Sequence, residues 1–212
     1  QPQINLATLD IEGKAYDAAA ARLNAVLARD DKNLEAMETL ARLHERRGQL
    51  VDAQRWLTKA ADSAGPDNLH PALTLVEFHL SHNQLAAAKE AGKQLTGKAP
   101  DALPVLVMLA RVHLAHQELV PARANLTRAA TLASQNPTLL LKIALLQSSA
   151  GHLPGAAYSL GKALVERPNF LAAQALLAEV QIRQGELDKA DQQVRQIIAS
   201  HPQSGVGYSL QG

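Results

Sequence analysis

The chain has 212 residues, enough for one ordinary domain or one short repeat array. Ala (39) and Leu (35) supply about a third of it and aromatic residues only 3%, which argues for helix and against a β-sandwich or barrel built on alternating β-branched and aromatic positions. A balance of 21 Lys and Arg against 20 Asp and Glu, with no cysteine, gives no field to attract nucleic acid or an anionic membrane and excludes disulfides, thiolate metal sites and cysteine nucleophiles.

In chain order, the first segment with helical character is Gln3 to Glu12, short and polar, ending at Gly13. From there one frame recurs: a turn residue, an apolar or small residue two later and an alanine five later. It reads Gly13/Ala15/Ala18, Gly48/Leu50/Ala53, Asn83/Leu85/Ala88, Gln117/Leu119/Ala122, Gly151/Leu153/Ala156 and Gly185/Leu187/Ala190. The turn sites are spaced by 35, 35, 34, 34 and 34. A fixed period of this size is the mark of a repeat architecture. Each period predicts two helices. In the last, Leu171, Leu176, Leu177, Val180 and Ile182 form one apolar stripe, Gly185 stops it, and Leu187, Ala190, Val194, Ile197 and Ile198 form the second. Small residues five past each turn lie where two helix backbones can approach closely. Prolines at 100, 137, 168 and 202 close several units. The densest apolar run, Leu139 to Leu146, is far shorter than a membrane span and contains Lys142.

A 34-residue helix-turn-helix carrying Gly-x-apolar-x-x-Ala, a later Ala and a closing Pro resembles the tetratricopeptide repeat. The later Ala stands twelve past the turn as Ala25, Ala60, Ala129 and Ala163, with Leu95 and Ile197 in its place in two units. Asn83 and Gln117 replace the turn glycine, and Arg22 and Gly92 occupy slots that are large and apolar in the family. The resemblance covers nearly the whole chain. It implies an all-α fold, a right-handed superhelix of about six antiparallel helix pairs, with repeats near 1–33, 34–68, 69–102, 103–136, 137–170 and 171–204 in a single array. Residues 205–212 fit the opening of a further first helix, where Tyr208 and Gly212 match a family pattern. The expectation is a segment of a longer protein.

The resemblance further implies that first helices line a concave groove through residues 13, 10, 6, 3 and 2 before each turn. Unit two then presents Glu35, Glu38, Arg42, Glu45 and Arg46, and unit three His70, Leu73, Glu77, Leu80 and Ser81. Unit four presents Pro104, Val107, Arg111, Leu114 and Ala115, and unit five Thr138, Leu141, Leu145, Ser148 and Ser149. Unit six adds Ala172, Ala175, Glu179, Ile182 and Arg183. The candidate partner-binding residues are Leu73, Glu77, Leu80, Val107, Arg111, Leu114, Leu141, Leu145, Glu179 and Ile182. An apolar groove fits an amphipathic helix or an extended apolar segment. Tight curvature, or a second copy of the chain, would instead bury these leucines. A clamp for a C-terminal carboxylate needs Lys and Asn where Glu38 and Arg42 stand, which argues against that subfamily.

Other constellations carry less. His79/His82 and His113/His116 each place two rings on one helix face, a spacing that could hold zinc. But His44, His79 and His113 all sit four before the turn, where the family carries Tyr and a packed ring suffices. Asn125-Leu-Thr127 falls inside a predicted helix, and Trp56 beside Leu57 reads as a packing residue. No nucleophile elbow, zinc-protease motif, phosphate loop or dinucleotide fingerprint occurs. The sequence therefore reads as a non-enzyme with no cofactor and no metal, binding a protein or peptide partner, with self-association open. Its alanine- and glutamine-rich, cysteine-free style is similar to that of bacterial envelope arrays. These include repeat lipoproteins of exopolysaccharide and PEP-CTERM export systems (the PrsT type) and periplasmic scaffolds of polysaccharide secretion. This implies a bacterial periplasm or envelope location. The alternative function is a substrate-recruiting or regulatory module of a larger enzyme-containing protein, and the alternative location is the cytoplasm.

Overall fold

The computed structural model describes residues 2–211, the last two by backbone alone. Among the described residues every regular element is a helix. They fall into two compact units, one ending at Pro100 and one starting at Asp101. The first unit holds α1 (Pro2–Glu12), α2 (Tyr16–Leu27), α3 (Leu34–Arg46), α4 (Leu50–Ser63), α5 (His70–Ser81) and α6 (Leu85–Lys98). The second holds α7 (Leu103–Ala115), α8 (Leu119–Leu132), α9 (Pro137–Ser149), α10 (Leu153–Glu166), α11 (Leu171–Gln184), α12 (Leu187–Ser200) and α13 (Gly205–Gln211). Odd-numbered helices are the first of each hairpin. Gly212, half of the terminal pattern, lies outside the described residues, and Tyr208 is an exposed residue of α13.

One backbone device makes the six hairpins. A residue one or two past the end of each first helix takes a left-handed conformation, at Lys14, Gly48, Asn83, Gln117, Gly151 and Gly185. Its own N–H bonds the carbonyl three back. The next N–H bonds the carbonyl five back, as in Glu186 to Gln181 (2.9 Å) and Gln84 to His79 (2.8 Å). This is a Schellman closure, which satisfies carbonyls that the helix end leaves orphaned. The left-handed region suits glycine and costs other residues about 1–2 kcal/mol, less for Asn.

In the first hairpin the expected register is off by one residue. The left-handed residue is Lys14, not Gly13. Shifting the frame puts Ala19, not Ala18, at the close-approach position, and Ala19 is fully buried while Ala18 is exposed. It also puts Leu23, fully buried, in the large apolar slot where Arg22 had looked anomalous, and Val26 in place of the exposed Ala25. Arg22 instead points outward and pairs with Asp10 at 2.8 Å. The first helix is not wholly polar, since α1 buries Ile4, Ala7 and Ile11.

Within each unit the helices stack in one pattern. Each hairpin closes on itself, and its second helix packs on the first helix of the next. First helices also touch each other: α1 meets α3, and α7, α9, α11 and α13 follow in a row. Ala53, Ala88, Ala122, Ala156 and Ala190 are buried at the crossings. In the second unit a single core joins Leu106, Leu126, Leu140, Ile143, Leu160 and Val180. Each such side chain contributes about 1.5–3 kcal/mol by leaving water. Pro137 opens α9 rather than closing a unit, with Asn136 capping the helix through Leu139 N–H at 3.0 Å. At the end of the chain α13 lies so close to α12 that a Cβ on Gly207 would come within 2.6 Å of Ile198.

Candidate partner-binding faces

The period of the first helices decides which residues face outward. Positions seven and eight before the turn go into the core, as Ala110, Ala144, Ala178 and Ile143 do. Positions ten, six and three before it lie on the edge of that stripe. In the second unit Val107, Leu114 and Leu141 are accordingly half-buried, packed on the core cluster from its rim. Leu145 on α9 and Ile182 on α11 are exposed, at 49% and 42%. Arg111 is half-buried and Glu179 exposed. Curvature therefore does not bury this face completely. Val107, Leu114 and Leu141 stay half-covered, and Leu145 on α9 and Ile182 on α11 are exposed. Ser148, expected on the face, turns inward and is nearly buried; the Arg183 guanidinium donates to its hydroxyl and lies over its carbonyl.

The first unit presents a different face. Leu73, Glu77 and Leu80 on α5 are half-buried. Between α3 and α5 opens a cavity of about 320 Å³ whose walls include Glu38, Arg42, Glu45, His70, Glu77 and Phe78. The Glu38 carboxylate lies 3.6 Å from His70 Nε2 through one oxygen. Its other oxygen, Oε1, is buried without a hydrogen bond. Glu45 lies 3.4 Å from His82 Nε2.

The histidines four before the turn have a role that sequence reasoning missed. His44 Nδ1 meets Gln49 Oε1 at 2.8 Å, His79 Nδ1 meets Gln84 Oε1 at 2.6 Å, and His113 Nδ1 meets Glu118 Oε2 at 2.6 Å. Each side-chain bond runs parallel to the backbone bond that closes the same turn, so the ring is a latch on the hairpin. The signal was present as a Gln or Glu five residues after each of these histidines. His82 Nδ1 donates to the Phe78 carbonyl at 2.8 Å. His79, His82 and His113 thus commit their Nδ1 atoms to groups at their own helix ends, and among the described residues no group of three His, Asp or Glu is placed to hold a metal ion.

The helix pairs, the left-handed turns and the small-residue crossings converge with a family comparison. The profile described as tetratricopeptide repeat matches residues 11–67 and 147–212, more than half of the chain. The chain belongs to the tetratricopeptide repeat family. A search of curated proteins found no match. Among solved structures, the fold of this repeat protein is similar to that of PilW, described as a widely conserved type IV pilus biogenesis factor. The identity is 19% and the TM-score 0.67, covering 99% of this chain and 97% of that one. It is also similar to Pseudomonas aeruginosa PilF (16%, TM-score 0.64, covering 99% and 95%). A third is YrrB, described as a repeat protein with an unusual peptide-binding site (13%, TM-score 0.62, covering 89% and 97%). These likenesses establish the helical solenoid fold. Proteins of this family are generally non-catalytic scaffolds. No helix among the described residues is long and apolar enough to cross a membrane.

Proposed function

We propose that this repeat protein is a non-catalytic scaffold that holds a protein partner through an apolar or amphipathic segment, laid on the first-helix face of the second unit. The observation that carries the reading is the pairing of exposed Leu145 and Ile182 with the half-buried floor of Val107, Leu114 and Leu141. Large apolar side chains left contiguous at the surface commonly mark an interaction site, and a helix with apolar residues three and four apart matches such a floor. Arg111 and Glu179 would orient the segment by charge. The setting we propose is the bacterial envelope, in a pilus or polysaccharide export assembly. The likeness to PilW and PilF supports it, as does the alanine-rich, cysteine-free composition.

The test is affinity capture from a lysate of the source cells with the wild-type chain and two variants. Leu114→Glu/Leu141→Glu alters the floor, and Leu145→Glu/Ile182→Glu alters only exposed positions. Both should lose the captured partner while keeping the wild-type circular dichroism spectrum. Undiminished capture by the second variant would remove this face from the account.

A further inference from the structure

We propose that the cavity between α3 and α5 receives the cationic head of a Lys or Arg side chain of a protein partner, so that the first unit reads charge. The proposal rests on the scaffold reading above for what delivers that side chain, but its chemistry stands on the first unit alone. The walls supply both parts of a long basic residue's needs. Ala41, Leu57 and Phe78 line the cavity with apolar surface, which a methylene stem can cover while its head remains hydrogen-bonded.

The charged groups around the cavity are Glu38, Glu45 and Glu77 against one guanidinium, Arg42, with His70 and His82 beside the first two carboxylates. Glu77 already has a partner, so the argument falls on Glu38 and Glu45. Glu38 is incompletely satisfied, and Glu45 stands at the open rim. Glu38 Oε1 has no hydrogen bond, and its Oε2 stands 3.6 Å from His70, beyond hydrogen-bond length. Glu45 is 3.4 Å from His82 and 43% exposed at the rim. A buried carboxylate oxygen without a donor is costly, and a charge-assisted bond from an ammonium or guanidinium is the strongest way to supply one. The two carboxylates are seven residues apart on α3. That places them on one face of the helix, two turns apart.

The test uses free amino-acid probes and needs no identified partner. Amide spectra of the ¹⁵N-labelled full chain are titrated with N-acetyl-arginine amide and with its neutral near-isostere, N-acetyl-citrulline amide. The expected result is shift changes concentrated at Glu38, Arg42, Glu45, Thr74 and Phe78. Arginine should bind at least about tenfold more tightly than citrulline, and the preference should vanish in Glu38→Gln/Glu45→Gln. If the double variant does not fold, Glu45→Gln alone, at the exposed rim, should reduce the preference at least threefold. Equal response to the two probes, shifts centred elsewhere, or an undiminished preference in the foldable variant would overturn the proposal. Since the readout is at residues of the first unit, this outcome is separate from capture by Leu145→Glu/Ile182→Glu, which tests the scaffold reading.

Discussion

The two units build the same hairpin from different materials. The first carries 25 Lys, Arg, Asp and Glu residues in 100 positions, the second 16 in 112. Connections between hairpins run to six residues in the first (28–33 and 64–69) and four in the second (133–136, 167–170 and 201–204). In the second unit every first helix touches the next, and one apolar core joins α7 to α11. In the first unit α1 touches α3, but between α3 and α5 opens a cavity walled by charged side chains and by Ala41, Leu57 and Phe78. The comparison teaches that the turn and the small-residue crossings are enough to fix the hairpin. The residues ten, six and three before the turn then vary freely and decide what each face offers.

The largest expected effect breaks the comparison at its core. Leu126→Ala removes a fully buried side chain of the second unit and should cost about 2–5 kcal/mol. Hydrogen exchange should show lost protection in α7 to α13 with the amides of α1 to α3 little changed; equal loss in both units would mean they do not act as separate bodies. A smaller effect is expected at the latches. Gln84→Ala leaves the ring of His79, itself 3% exposed, without its partner and should cost about 1–3 kcal/mol in urea denaturation. Glu118→Gln, at the more exposed His113 latch, should cost a few tenths of a kcal/mol. The smallest effect sharpens the turn argument in both units. Lys14→Gly and Gln117→Gly relieve a left-handed residue of positive φ near 60° and should stabilise by about 0.5–1 kcal/mol, with Asn83→Gly gaining less. No gain at Lys14 would return the first turn to Gly13.

Much of this fold was legible in the sequence, because a 34-residue period with a left-handed stop is a local signal. Five of the six turns fall on the residues the spacing indicated. The first did not, and the reason is physical. Glycine is the strongest sign of a left-handed site, so Gly13 drew the frame. The helix phase set by Ala19 and Leu23 required the next residue, and Lys14 bears the strain. The Arg22 anomaly was a symptom of the same slip. The histidine latches needed pairing across the turn to be seen. Ser148 was misplaced because its exposure depends on Arg183, 35 residues away. The cavity in the first unit depends on how far apart α3 and α5 stand, a tertiary quantity that no spacing encodes.

The most direct test of the central claim is the affinity of the captured partner for wild type and for Leu145→Glu/Ile182→Glu, read by titration calorimetry. The account predicts at least a tenfold loss, about 1.4 kcal/mol or more, with the unfolding midpoint unchanged. Wild-type affinity in that variant would contradict it and move the binding surface off the first-helix face of the second unit.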